Sequence, residues 1–78
     1  MKREPVESTT MRSVGYEADS RTLEIEFRSG ELYQYQDVPP KVHQELMAAQ
    51  SKGRYFNQKI VDEYQFVRAG KARNASGR

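Results

Sequence analysis

The residues best suited to chemistry lie in one short segment in the last third of the chain, residues 51–59. The segment combines three cations, two aromatic rings and two side-chain amides: Lys52, Arg54, Lys59, Tyr55, Phe56, Asn57 and Gln58. Such mixtures bind single-stranded RNA, because cations contact phosphates, rings stack on bases and amides hydrogen-bond to base edges. Tyr55 is the better stacking candidate, since Phe56 and Ile60 share the apolar side of a helix. The predicted nucleic-acid site is Lys52, Arg54, Tyr55, Asn57 and Lys59.

The tail beyond this segment would extend a positive surface. Residues 1–50 carry six Lys/Arg and nine Asp/Glu, a net charge of −3, whereas residues 51–78 carry seven and two, a net charge of +5. Arg68, Lys71 and Arg73 therefore join the predicted site. For both the segment 51–59 and the basic tail, an explanation without RNA binding stays open. Tyr55 can be ordinary packing at a helix junction, and the basic tail can be a solubilising end.

Catalytic interpretations find little support. Glu24 and Glu26 form a same-face carboxylate pair of the kind that glycoside hydrolases use, but strand alternation places them on a solvated outer face. Ser51 and His43 can share a helix face, yet Ser51 fits a helix end better. With one histidine and no cysteine, disulfides and sites built from Cys or several His are excluded. We expect no enzyme, no metal and no cofactor.

The 78 residues predict one small domain, 11–68, between a flexible N-terminal arm, 1–10, and a disordered basic tail, 69–78. The arm is polar and the tail has no large apolar side chain, so neither can offset its ordering entropy by burial. A domain of this size has a marginal core, which makes a homo-oligomer plausible. No apolar run approaches the roughly 18 residues of a membrane span, which predicts a cytoplasmic protein without membrane contact.

Apolar–polar alternation predicts a first hairpin. Leu23, Ile25 and Phe27 alternate with polar residues in one strand, and Val14 and Tyr16 alternate in the strand before it. A connecting loop of two or four residues pairs Tyr16 with Leu23 and Val14 with Ile25, which keeps the apolar sides together.

The second hairpin decides where Tyr33 and Tyr35 lie. A two-residue loop at Ser29-Gly30 would place both rings on the outer face, whereas a three-residue loop over 28–30 places them opposite Ile25 and Leu23. A type I turn followed by a left-handed glycine suits the longer loop. We therefore predict that both tyrosines are structural and lie in the core or at its rim.

The remaining elements predict an α+β fold. Pro40 begins a helix over Lys41–Lys52 that is capped by Gly53. A short second helix follows over 54–61, and a strand over 63–67 comes last. A small curved antiparallel sheet, made of a three-stranded meander and this C-terminal strand, would bury one apolar face under the main helix and the short second helix.

Two ordered motifs resemble the KTSC domain, a short bacterial module named after the C-terminus of some lysyl-tRNA synthetases, which also occurs as a free-standing protein. They are V-G-Y-x(6)-L-x-I-x-F-x-x-G-x-x-Y-x-Y-x-x-V-P over Val14–Pro39 and A-x-S-x-G-x-Y-F-N-x-x-I over Ala49–Ile60. Tyr33 and Tyr35 form the family's central Y-x-Y. The chain departs from the pattern at His43, where a large aromatic residue is expected, and at Val61, where a basic residue is usual.

The resemblance implies a sheet-plus-helix fold likened to a variant of the Sm-like barrel, and it implies no established activity. RNA binding has been suggested for such domains because of their association with a tRNA-handling enzyme. We predict a non-enzymatic domain that binds single-stranded RNA or tRNA. The alternative is a protein–protein interaction or self-assembly module that uses an exposed edge strand, about 63–67. Salt separates the two, since only phosphate binding weakens steeply as counterions are released.

Overall fold

A computed structural model of the protein describes residues 3–71, so the predicted arm positions 1–2 and tail positions 72–78 lie outside the described residues. The described elements are β1 (Arg3–Pro5), β2 (Met11–Glu17), β3 (Thr22–Phe27), β4 (Glu31–Tyr35), α1 (Pro40–Ala48), α2 (Lys52–Lys59) and β5 (Phe66–Lys71). Neither α1 nor α2 is long and apolar enough to cross a membrane.

The strands form one antiparallel sheet in the order β1-β2-β3-β4-β5. This confirms the predicted α+β class, with one strand more than the predicted four. β1 and β5 are the two edges of an open sheet, and no pairing between them closes residues 3–71 into a barrel. The likeness to Sm-like barrels stays a prediction.

The first hairpin has the predicted register. Val14 lies opposite Ile25, and Tyr16 lies opposite Leu23. The loop between β2 and β3 spans residues 18–21, the longer of the two predicted lengths. It ends on a residue with a positive φ, Arg21. The apolar sides of both strands therefore share one face of the sheet, here called the inner face.

The second hairpin takes the predicted three-residue loop. Tyr33 lies opposite Ile25 and Tyr35 lies opposite Leu23. Gly30 adopts a φ of +96°, a left-handed conformation that glycine accepts without a Cβ penalty. Its N–H donates to the carbonyl of Phe27 at 2.9 Å. This turn brings both tyrosine rings to the inner face.

The hydrophobic core lies between the inner face and the two helices. Tyr35 is buried, with 2% of its surface exposed, whereas Tyr33 is only partly buried. The prediction that these rings lie in the core or at its rim is confirmed, with one ring in each place. The buried apolar residues of the described chain are Met11, Val14, Leu23, Ile25, Tyr35, Val38, Leu46, Phe56 and Ile60.

The junction between the helices differs from the prediction. α1 begins at Pro40 as expected but ends at Ala48, because Ala49 is extended, with φ −70° and ψ 141°. Ser51 caps the start of α2 rather than the end of α1. Gly53, predicted to end the first helix, lies inside the second. An added Cβ at Gly53 would lie 2.8 Å from Thr10 Oγ1, so this glycine allows a close approach between α2 and the chain before β2.

Both ends of the described chain contain strands where the sequence predicts little structure. Residues 3–5, in the predicted flexible arm, form β1 on β2. β5 runs over Phe66–Lys71, later than the predicted strand at 63–67 and into the predicted tail. The N–H of Glu63 instead donates to the carbonyl of Ile60 at 3.0 Å, in a turn that follows α2. Backbone hydrogen bonds to the neighbouring strand order these residues, although their sequence does not have a large apolar side chain at every second position.

The outer face of the sheet is not solvated at Glu24 and Glu26, contrary to the prediction. Only 7% of Glu24 and 9% of Glu26 is exposed. Glu24 pairs with Arg3 at 3.3 Å and accepts from Gln34 at 3.3 Å. Glu26 pairs with Arg12 at 3.5 Å and accepts from the hydroxyl of Ser13. Cross-strand partners thus surround both carboxylates, and this explains their burial as structural.

Candidate nucleic-acid interface

Helix α2 divides the predicted RNA-binding residues between its two sides. One side faces the chain that precedes β2, and the other faces α1. The structure therefore brings only part of the predicted set into one cleft. The first side holds Lys52, Arg54 and Asn57, and the α1 side holds Tyr55 and Lys59.

A polar cleft lies between the first turns of α2 and residues 7–10, with a volume of about 630 Å³. Ser51 Oγ accepts the N–H of Arg54 at 3.3 Å, which caps the helix. Lys52 Nζ donates to a backbone carbonyl at the helix junction at 3.1 Å. The first turn of α2 has no acidic side chain, so the positive end of the helix dipole adds to the two cations. Glu7 is the carboxylate that lines the same cleft.

Tyr55 connects the two helices. Its hydroxyl donates to Glu45 Oε1 at 2.7 Å. Burial and this hydrogen bond raise the pKa of Tyr55 to about 12. The ring packs against the core cluster. The structure therefore places Tyr55 in helix packing, the structural alternative for this residue, and places Lys59 beside it on the α1 side.

Five aromatic rings form a cluster where the inner face meets α2: Phe27, Tyr33, Tyr35, Phe56 and Phe66. Phe56 meets Phe27 and Tyr35 edge to face, at centroid distances of 5.6 and 5.4 Å. Phe66 instead stacks nearly parallel on Tyr33, at 4.9 Å and 21°. Phe66 was not among the predicted site residues, although the aromatic–polar–aromatic run Tyr64–Phe66 repeats the pattern of Tyr33 and Tyr35. The contact between Phe66 and Tyr33 could not be predicted from this run alone, because it depends on the pairing of β5 with β4.

An aromatic groove opens on this cluster, with a volume of about 530 Å³. Rings from β3, β4 and α2 form its apolar wall, and Arg28 and Glu31 contribute charged groups. Arg28 Nε donates to the carbonyl of Ser8 at 2.7 Å, which fixes its guanidinium near residues 7–10. Thr9 and Thr10 line both this groove and the polar cleft. The two depressions are therefore neighbours with a common wall.

The predicted tail residues lie beside the groove or beyond the described chain. Arg68 is on β5 opposite Tyr33 and forms an ion pair with Glu31, a groove residue. Lys71 ends β5, and Arg73 lies outside the described residues. Within residues 3–71 no group of three or more His, Cys, Asp or Glu could hold a metal ion.

The fold and the two depressions define a small α+β domain in which a polar cleft with two cations shares a wall with an aromatic groove. The KTSC domain profile matches residues 7–64. This protein belongs to the KTSC domain family, as the motifs predicted. The solved KTSC domain protein of Yersinia pestis has a TM-score of 0.86 at 43% identity, covering 88% of this chain and 97% of that one.

Two relatives show the two settings of the domain. An uncharacterised protein of Stutzerimonas stutzeri is 52% identical over 58 residues, which cover 74% of this chain and 82% of the relative. A lysine–tRNA ligase of Nostoc punctiforme is 42% identical over 60 residues, which cover 77% of this chain but 11% of the ligase. The matched region is therefore a small part of a much longer tRNA ligase, and the match does not extend to the rest of that ligase.

Proposed function

We propose that this domain is a non-enzymatic, cytoplasmic module that binds single-stranded RNA and holds phosphates in the polar cleft. One observation carries the proposal: Lys52 and Arg54 line a cleft that shares a wall with a groove of aromatic rings, of which Phe27 and Tyr33 are partly exposed. Single-stranded nucleic acids are bound by this combination of cations and stacking rings. The matched region of the lysine–tRNA ligases supports tRNA as the class of RNA.

The test is fluorescence anisotropy of a short labelled single-stranded RNA at about 50 and 200 mM salt. We expect binding that weakens as salt rises, and a weaker salt dependence in the variant Lys52→Met/Arg54→Ala. The logarithmic salt slope should fall by about 0.7 for each phosphate that the variant no longer neutralises. Lys52→Met removes the charge and keeps an unbranched aliphatic side chain at the partly buried helix junction.

Lys59→Ala is the matched control, because it removes a cation of the same helix from the α1 side. It should reduce affinity less than Arg54→Ala does. No binding by the folded wild type at micromolar concentration would refute the proposed function. An equal loss from Lys59→Ala would refute the assignment of phosphates to the polar cleft.

A second candidate function, strand addition between copies of the chain, is favoured by the exposed edge. β5 is a sheet edge, and Phe66 and Val67 on it are the exposed large apolar residues of the described chain, at 47% and 46%. Unpaired strand edges accept further strands. Sedimentation analysis distinguishes this function, since a dimer built on backbone pairing would persist at high salt and in the Lys52→Met/Arg54→Ala variant.

A further inference from the structure

The geometry points to the Tyr33–Phe66 stack, beside the aromatic groove, as a base-binding platform, on which one nucleobase of the bound strand stacks against the accessible face of Phe66. This inference rests on the proposed function and specifies its second half. The polar cleft would hold phosphates, and Phe66, which stacks on the groove residue Tyr33, would hold a base.

Phe66 is the ring of the aromatic cluster that is accessible to a base, and Tyr33 supports it from one side. Phe27 and Phe56 meet their neighbours in the aromatic cluster edge to face, with interplanar angles of 71° to 85°. Tyr33 and Phe66 are nearly parallel, at 21°. Tyr33 is partly buried and Phe66 is 47% exposed. Accessible aromatic rings are the platforms on which single-stranded nucleic acids stack, and the face of Phe66 that is turned away from Tyr33 is such a platform.

Charges beside the platform favour a nucleic acid as the occupant. Arg28 lines the groove, and Arg68 lies opposite Tyr33. A strand that enters from the polar cleft passes Thr9 and Thr10 before it reaches the rings, since these residues line both depressions. Arg54 in the cleft and Arg28 in the groove are the guanidinium groups on this path. The carboxylates beside them are Glu7 and Glu31, and Glu31 is already paired with Arg68.

Two other occupants fit less well. Residues 72–78 of this chain include no large apolar side chain, so they offer nothing to fill an aromatic groove. A second copy of the chain would have to bury the Glu31–Arg68 ion pair together with Arg28, and burial of charges carries a desolvation cost. A nucleotide fits better, because its flat base can stack on a ring while its phosphates bind the neighbouring cations.

The experiment compares a short RNA containing one 2-aminopurine with an abasic oligonucleotide of the same length. Phe66→Ala and Phe66→Leu remove the flat ring, and Leu keeps apolar bulk. Val67→Ala is the matched control, because Val67 has nearly the same exposure on the same strand but pairs with Gln34 on the outer face. Circular dichroism verifies that each variant is folded.

We expect the wild type to quench 2-aminopurine and both Phe66 variants to lose roughly tenfold or more in RNA affinity. Val67→Ala should bind like the wild type, and all variants should bind the abasic oligonucleotide equally, with an unchanged salt slope. Equal loss in the Phe66 and Val67 variants would overturn the inference.

Failure of the inference is distinct from failure of the proposed function. If both oligonucleotides bind and the Phe66 variants change neither affinity nor quenching, the base site is refuted while phosphate binding stands. If neither oligonucleotide binds, the proposed function itself fails, and the base site with it. If Phe66→Ala changes only the sedimentation of the free protein, the base site is refuted and the surface around Phe66 is an interface between copies.

Discussion

The inner face of the sheet has a covered end and an open end, and the two tyrosines of β4 mark them. Tyr35 belongs to the covered end, where it is 2% exposed and meets Phe56 of α2. Tyr33 belongs to the open end, where it is only partly buried and stacks with the exposed ring of Phe66. The same residue type, two positions apart on one strand, lies in the core in one place and at the partly exposed rim of the core in the other. The arrangement of the helices, rather than the strand pattern, makes this difference.

The largest expected effect comes from breaking the covered end. Tyr35→Ala should lower the free energy of unfolding by about 3–5 kcal/mol, as for other large aromatic residues removed from cores. Phe66→Ala should lower it by only about 1 kcal/mol, because half of its ring is already in water. Urea unfolding followed by circular dichroism measures both. Similar losses for the two variants would mean that the open end is part of the core.

Residue patterns predicted the covered end better than the open end. The register of both hairpins followed from alternation, because a one-residue slip would have moved Leu23 and Ile25 to the wrong face. The short β1 has no such pattern. Its pairing depends on partners distant in sequence, such as Glu24, which binds Arg3.

The candidate site was predicted only in part, for a related reason. Cations and amides on α2 were visible as residue types, and Lys52, Arg54 and Asn57 do share a cleft. A groove is a region that helices leave uncovered, so it depends on where α1 stops and where α2 begins. The glycine at position 53 did not show from the sequence alone whether it ends the first helix or lies inside the second. A glycine near a helix end signals a cap, but here it permits close packing against Thr10.

An intermediate effect is expected where α2 meets the shared wall of the cleft and groove. Gly53→Ala should lower the free energy of unfolding by about 1–3 kcal/mol, since the new Cβ would lie 2.8 Å from Thr10 Oγ1. In a Thr10→Ala background the same change should cost less or even stabilise, because alanine is favoured over glycine in helices by about 1 kcal/mol. A double-mutant cycle by urea unfolding measures the coupling. Equal costs in both backgrounds would show that this contact does not set the position of α2.

The smallest expected effect concerns pH at the covered end, where His43 of α1 stacks on Tyr16 of β2 at 4.8 Å and 8°. Burial lowers the pKa of His43 from its ordinary 6.5, and Glu4 partly opposes this shift. The unfolded chain therefore binds a proton more readily than the folded one. The stabilisation is complete above about pH 6.5 and declines as the pH falls through that value toward the lower folded pKa.

His43→Phe should remove this acid dependence while keeping an aromatic ring on Tyr16, as the family pattern would have it. The measurement is the urea midpoint of both proteins between about pH 7 and 5, a window in which histidine is the side chain that ordinarily titrates. The chain has one histidine, so a decline that remains in His43→Phe would have to come from another group. A decline confined to the wild type would show that the Tyr16–His43 stack holds α1 over the covered end in a form that needs a neutral imidazole.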